Sequence, residues 1–115
     1  MGVIIFHNPR CSKSRQTLQL LQDEGVELEI VEYLDTPPSK TRLKQILKML
    51  GLKPRDLMRR QENEYKELGL DDESLTTEQL IDAMVKTPKL IERPIVINED
   101  KAAIGRPPEN VLDII

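Results

Sequence analysis

The fold is decided by residues 3–30, which read VIIFHNPRCSKSRQTLQLLQDEGVELEI. The stretch opens with four consecutive apolar residues, a pattern typical of a strand buried on both faces. A helix is predicted over about 12–24, because leucines recur at helical spacing before Gly25. Apolar and acidic residues then alternate from Val26, which predicts a strand reaching about Leu34. The order is strand, loop, helix, strand, and the two strands should be parallel.

The middle of the chain, over about residues 37–92, is predicted to be helical. Ser39 and Thr76 each stand where an N-cap is expected, and Gly51 is placed to end the first of these helices. The apolar spacing and the positions of proline and glycine predict helices over about 40–50, 54–58, 62–68 and 77–87. No strand is expected in this region.

The pattern returns to strands near the C-terminus. Pro94–Ile97 is apolar, 98–101 is rich in turn residues, and Ala102–Ile104 would be the return strand of a hairpin. A short helix should follow, and its apolar positions are predicted to be Val111, Leu112 and Ile115.

This order of elements predicts an α/β protein with one domain over residues 1–115. It can be drawn as a four-stranded mixed sheet, in the order β-α-β then β-β-α, with a helical insertion at about 37–92 between strands 2 and 3. That is a thioredoxin-like architecture. Such folds place a cis-proline beside the active thiol, so we expect the peptide bond between Arg93 and Pro94 to be cis.

Composition excludes several classes of protein. With 115 residues, 38% of them hydrophobic and 32% charged, the chain suits a compact globular domain. No apolar stretch is long enough to span a membrane and no secretory signal is recognised, so a cytoplasmic protein is expected. The pI of about 5.2 and the absence of tryptophan argue against nucleic-acid binding. One cysteine and one histidine can form neither an internal disulfide nor a Cys/His zinc site, so no metal is expected.

The one cysteine, Cys11, lies in a basic loop. Residues 1–22 contain three basic side chains and no acidic one. A helix N-terminus with nearby cations lowers the pKa of a thiol, and the thiolate is the reactive form. The same loop can receive an oxyanion. The polar neighbours of Cys11 make a buried structural cysteine a poor alternative, and a reactive thiol is predicted.

Spacing limits what this thiol can do. A dithiol redox motif needs a second cysteine at position 14, which is Ser14. A Cys-x5-Arg phosphatase loop needs arginine at position 17, which is Thr17. Cys11 would therefore act as a single nucleophile, and any resolving thiol would come from another molecule; glutathione or a glutaredoxin could provide it in a reducing cytosol.

The loop resembles that of a known family. Residues 7–15 read HNPRCSKSR, similar to the active-site loop of the glutaredoxin-dependent arsenate reductases, which have a thioredoxin-like fold. The resemblance covers nearly the whole chain. Its further matches are YLxxPPS at 33–39, LMR at 57–59, YxxLGL at 65–70, LID at 80–82, RPIV at 93–96, RP at 106–107 and VLDI at 111–114.

The resemblance implies the reaction and its participants. Cys11 matches the nucleophile, whose thiolate attacks arsenate to form a cysteinyl thioarsenate. Glutathione, a co-substrate and not a bound cofactor, would displace the adduct, glutaredoxin would supply the second thiol, and arsenite would leave. The implied role is in arsenical resistance. Nucleic-acid and membrane partners are not expected, on the grounds of composition given above.

The resemblance also assigns supporting residues. His7 and Ser14 match residues that support the thiolate. The substrate-binding residues are implied to be Arg59, Arg93 and Arg106. Planar guanidinium groups suit a tetrahedral dianion because they donate paired, charge-assisted hydrogen bonds. Arg60 adjoins Arg59 and is the alternative at that position.

Two other functions are compatible with the fold. Transcription regulators related to this family contact RNA polymerase and often carry a Cys-x-x-Cys switch, whereas this chain has Ser14. A general glutathione-dependent thiol transferase would not need three converging arginines. An arsenate reductase is therefore the favoured prediction.

Overall fold

The computed structural model describes residues 2–115, which fall into two compact units. One unit contains the segment that ends at Thr36 together with Arg93–Ile115, and the other is Pro37–Glu92. The first unit holds β1 (Val3–His7), α1 (Ser12–Asp23), β2 (Leu28–Glu32), β3 (Ile95–Asn98), β4 (Lys101–Ile104) and a 3₁₀ helix over Pro108–Ile114. The second holds α2 (Lys40–Leu50), α3 (Asn63–Glu67), α4 (Thr77–Lys86) and 3₁₀ helices over Pro54–Leu57 and Pro88–Leu90.

The first unit is built on a four-stranded mixed sheet with the strand order β2-β1-β3-β4. β1 pairs in parallel with β2, and β3 is antiparallel to both β1 and β4. The predicted mixed sheet and the parallel pairing of its first two strands are confirmed. One apolar cluster joins this sheet to α1 and the terminal 3₁₀ helix; its buried members are Val3, Ile5, Leu21, Val96 and Val111.

β2 is shorter than the alternation of its residues predicts. Its pairing with β1 runs from Val3 opposite Leu28 to His7 opposite Glu32, where β1 itself ends. The backbone then turns, because the amides of Asp35 and Thr36 both donate to the carbonyl of Glu32. The strand stops where its partner strand stops.

The helices of the second unit begin and end largely as their caps predict. The hydroxyl of Ser39 accepts from the Arg42 amide, and Gly51 adopts φ 67° at the end of α2. Thr76 and Gln79 form a capping box at the start of α4. The prediction of a helix through Met58 is wrong, because that residue is extended and forms an isolated bridge with Ile91.

The C-terminal helix has a different inward face from the predicted one. It is a 3₁₀ helix, in which residues three apart lie above one another. Pro108 and Val111 are therefore buried and Ile114 packs against the core, whereas Leu112 and Ile115 are 39% and 37% exposed. The prediction assumed the period of an α-helix.

Two X-Pro bonds are cis, those between Arg93 and Pro94 and between Arg106 and Pro107. The first was expected and is confirmed; the second was not predicted. Within residues 2–115 no helix has the length and apolar character needed to cross a membrane.

Candidate active site

The loop between β1 and α1 places Cys11 as the N-cap of α1. Asn8 organises this loop: its carbonyl accepts from the Cys11 amide at 3.0 Å, and its side-chain oxygen accepts from the Arg10 amide at 3.0 Å. The Cys11 carbonyl then accepts the Arg15 amide at 3.0 Å, which closes the first turn of the helix. The thiol is thus held at the positive end of the helix dipole, and it is half-buried, not sealed in the core.

The surroundings of Cys11 favour its thiolate. Burial opposes ionisation, but the backbone N–H groups of Ser14 and Lys13, the charge of Arg93 and the side chain of Arg106 outweigh it, so that the pKa of the Cys11 thiol is lowered. This supports the predicted reactive thiol.

The Arg106 guanidinium lies beside this sulfur, and the charge of Arg93 also favours the thiolate. The Nη1 atom of Arg106 is 3.8 Å from the Cys11 Sγ and 3.4 Å from the carbonyl oxygen of Arg93. Two guanidinium groups beside a thiolate can stabilise that anion, and they can also bind an incoming oxyanion.

His7 and Ser14, the two residues predicted to support the thiolate, are in contact with each other in the loop that carries Cys11. His7 Nδ1 and Ser14 Oγ are 2.6 Å apart, and the same hydroxyl accepts the Asn8 amide at 2.9 Å. The Ser14 side chain therefore organises the loop, while its backbone N–H favours the thiolate. His7 is buried, and burial is the main reason that its pKa is lowered. Because burial favours the neutral form of His7, this side chain acts on the loop through its contact with Ser14 and not through a positive charge.

The lowered pKa of His7 makes stability depend on pH. The charge of Glu32 partly opposes the effect of burial and that of Arg15 adds to it, but the folded pKa stays below the ordinary 6.5. The unfolded chain then binds the proton more readily, so the free energy of unfolding falls as the pH decreases below about 6.5. Urea unfolding between pH 7.5 and 5 measures this, and a His7→Gln variant should show a shallower loss. Equal pH dependence in the two proteins would contradict the assignment.

Arg59 and Arg60 belong to the second unit. Arg59 forms an ion pair with Glu62 at 2.8 Å, and its side chain is 23% exposed. Arg60 is more exposed, at 53%, and reaches Asp56 at 3.4 Å and the Arg55 carbonyl at 3.2 Å. The choice between them as a substrate ligand stays a prediction.

Thr17 and Gly105 are two residues of this region to which no sequence motif points. Thr17 is completely buried on α1, although it is polar, and its hydroxyl faces the Gly105 carbonyl at 3.3 Å. The spacing of Ser14, Thr17 and Leu21 places them on one face of the helix, and this spacing could have predicted that Thr17 is buried. Nothing in the sequence indicates its partner, which is 88 residues away.

The residues that the structure describes contain no group of three His, Cys, Asp or Glu side chains that could hold a metal ion.

A parallel β-loop-α-β unit followed by an antiparallel hairpin, with one ionisable cysteine capping the first helix, defines a single-cysteine protein of thioredoxin-like fold. The sequence model of the ArsC family matches residues 6–114, and the chain belongs to this family.

Individual relatives agree with this assignment. The chain is 59% identical over 114 residues to "Uncharacterized protein YfgD" of Escherichia coli, covering 98% of this chain and 96% of that one. It is 50% identical over 116 residues to the arsenate reductase of Haemophilus influenzae, with 100% of each chain covered. The solved structure of an arsenate reductase from Vibrio cholerae superposes with a TM-score of 0.97 at 50% identity, covering 100% of this chain and 98% of that chain.

Proposed function

We propose that this protein reduces arsenate to arsenite, with glutathione and glutaredoxin as the source of electrons. The observation that carries the proposal is the Cys11 thiol, whose pKa is lowered and whose sulfur lies 3.8 Å from the Arg106 guanidinium. Membership of the ArsC family and the names of the relatives from Haemophilus influenzae and Vibrio cholerae supply the substrate.

The first step is nucleophilic attack. The Cys11 thiolate forms a bond to the arsenic of arsenate, and one arsenate oxygen leaves as water after it is protonated. The product is a cysteinyl thioarsenate in which arsenic is still pentavalent. Arg93 and Arg106 would bind the remaining oxygens and stabilise the charge that develops on them.

Reduction follows when glutathione arrives and displaces the adduct. The glutathione thiolate attacks the Cys11 sulfur, the sulfur–arsenic bond breaks, and its electron pair stays on arsenic, which leaves as trivalent arsenite. Cys11 and glutathione are then joined in a mixed disulfide. Glutaredoxin removes the glutathione and restores the Cys11 thiolate, so that two thiols have supplied the two electrons.

The second thiol must come from another molecule. Cys11 is the one cysteine of the 115-residue sequence, and so no internal disulfide can form. This is the reason for proposing glutathione as a co-substrate and glutaredoxin as the partner, with no bound cofactor. The reducing cytoplasm is the compartment in which such thiols are available.

An assay of the unmodified protein tests this function. Arsenate is added to the protein with glutathione, glutaredoxin, glutathione reductase and NADPH, and the oxidation of NADPH is followed. We expect oxidation that requires both arsenate and the protein, and much weaker activity on a glutathionylated peptide. Activity on the peptide without activity on arsenate would identify a general thiol transferase and refute the proposal.

The third arginine can be assigned with a matched pair of variants. Arg59→Ala is expected to lower kcat/KM for arsenate by about 10²-fold, the effect of losing one preorganised donor, while Arg60→Ala changes it little. The reason is that Arg59 stands at the position of the family motif, whereas Arg60 is the more exposed side chain. The opposite ranking in the arsenate assay would move the role to Arg60.

A further inference from the structure

Thr17 is a polar side chain in a position where an apolar one would be expected. It lies on α1 with no exposed surface. Its hydroxyl oxygen is 2.8 Å from the Lys13 carbonyl oxygen of its own helix and 3.3 Å from the carbonyl oxygen of Gly105. The hydroxyl has one proton to donate to these two acceptors. The contact with Gly105 joins the helix that carries Cys11 to the segment that follows β4.

The backbone of Gly105 is held from both sides. Its amide donates to the Pro94 carbonyl at 2.9 Å, while its carbonyl faces the Thr17 hydroxyl. Residue 105 also has no room for a side chain: a Cβ atom there would overlap the Thr17 Oγ1 and come within 2.9 Å of the Pro94 Cγ. Close packing and hydrogen bonds thus fix this peptide against α1.

Arg106 is the next residue, and its guanidinium lies beside the Cys11 sulfur. Its side chain is long and exposed, so its position depends on where its backbone is anchored as well as on the contact of its guanidinium with the Arg93 carbonyl. Its amide donates to the Ile104 carbonyl at 2.9 Å, which fixes the turn but does not tie it to α1. The contact of Gly105 with Thr17 provides a link to α1 at the residue next to Arg106, in addition to the packing of the terminal 3₁₀ helix on α1.

We propose that Thr17 is a positioning residue, which holds the Gly105 peptide against α1 and thereby keeps the Arg106 guanidinium beside the Cys11 sulfur. It would not touch the substrate itself. The effect of Thr17 on the Cys11 thiolate does not require a substrate. The proposal therefore depends on the proposed function only for the effect of Thr17 on arsenate turnover. A deletion of the Thr17 hydroxyl should therefore weaken the influence of Arg106 on Cys11.

The test uses Thr17→Val, which keeps the shape of the side chain and removes the hydroxyl, and Thr17→Ser, which keeps the hydroxyl. The rate at which iodoacetamide alkylates Cys11 is measured against pH; the thiolate displaces iodide and forms a thioether, so the rate reports the pKa of the thiol. We expect Thr17→Val to raise this pKa and, at pH values below it, to slow alkylation by up to about fivefold, the scale of losing one hydrogen bond. Thr17→Ser should restore most of the rate.

A double-mutant cycle with Arg106→Ala separates positioning from a general loss of structure. If Thr17 acts through Arg106, adding Thr17→Val to Arg106→Ala leaves the pKa of Cys11 where Arg106→Ala has placed it. Additive shifts in the double variant would overturn the proposal, as would a Thr17→Val protein with the pKa of the unmodified one. Circular dichroism checks that each variant is folded.

Should Thr17→Val fail to fold, Gly105→Ala tests the same contact from the other side. The added Cβ pushes the Gly105 peptide away from Thr17, and the pKa of Cys11 should again rise only when Arg106 is present. An unchanged pKa in this variant would equally overturn the proposal. If the thiol behaves as expected but arsenate is not turned over, the proposed function fails and the role of Thr17 stands.

Discussion

The Cys11→Ser variant is expected to lose arsenate-dependent NADPH oxidation by more than about 10³-fold, the scale of removing an enzyme's nucleophile. A serine hydroxyl stays protonated near neutral pH, since even the surroundings that lower the pKa of Cys11 cannot bring an alcohol into this range. In the proposed reduction, glutathione attacks the Cys11 sulfur and the electron pair of the sulfur–arsenic bond stays on arsenic. An oxygen–arsenic bond cannot be cleaved in this way. Both attack and reduction therefore fail, and the coupled assay measures this directly.

A control replaces a nearby residue that has no part in the chemistry. Gln16 is exposed on the same helix, and Gln16→Ala should retain the activity of the unmodified protein. Circular dichroism and urea unfolding establish that both variants fold. Full turnover by a folded Cys11→Ser protein would show that the sulfur is not the nucleophile, and the proposed mechanism would be wrong.

Arg106→Ala is expected to produce the next largest effect, a fall of about 10²- to 10³-fold in kcat/KM for arsenate. The Nη1 atom of Arg106 lies 3.8 Å from the Cys11 sulfur, so the variant loses a charge that favours the thiolate and a donor for the oxyanion. The pKa of Cys11 should rise at the same time. Kinetics across a range of pH separate the two contributions, because a higher pH restores only the thiolate.

Arg106→Lys is the matched control for the charge. It retains a cation but loses the planar fork that can donate two parallel hydrogen bonds to one oxyanion. We expect a smaller rise in the pKa of Cys11 than Arg106→Ala causes, together with a substantial increase in KM. If Arg106→Ala left both the pKa and the arsenate kinetics unchanged, the guanidinium would have no function at this thiol.

Local patterns in the sequence were sufficient to predict much of the fold. The apolar run in β1 and the capping residues Ser39 and Thr76 each act over a few residues, and the structure confirms them. Elements whose limits depend on distant partners were predicted less well. β2 ends early because β1 ends, and the terminal 3₁₀ helix turns Val111 inward and leaves Leu112 exposed.

In the candidate site, too, local sequence was sufficient for some residues, whereas the relations between distant residues could not be predicted. Cys11 could be identified because its neighbours in the sequence are polar and basic and a helix follows. The relation of Arg106 to that thiol could not be derived from spacing, since 95 residues separate them and only the folded sheet brings them together. The link from Thr17 to Gly105 depends on the same tertiary arrangement.

The most direct test of the central claim is the pH dependence of Cys11 alkylation, measured with and without arsenate. If an activated thiolate lies in an oxyanion pocket, the unmodified protein will react with a pKa below that of an ordinary cysteine, and arsenate will slow the reaction in a saturable manner. A thiol with an ordinary pKa whose alkylation rate does not respond to arsenate would contradict this account of the site.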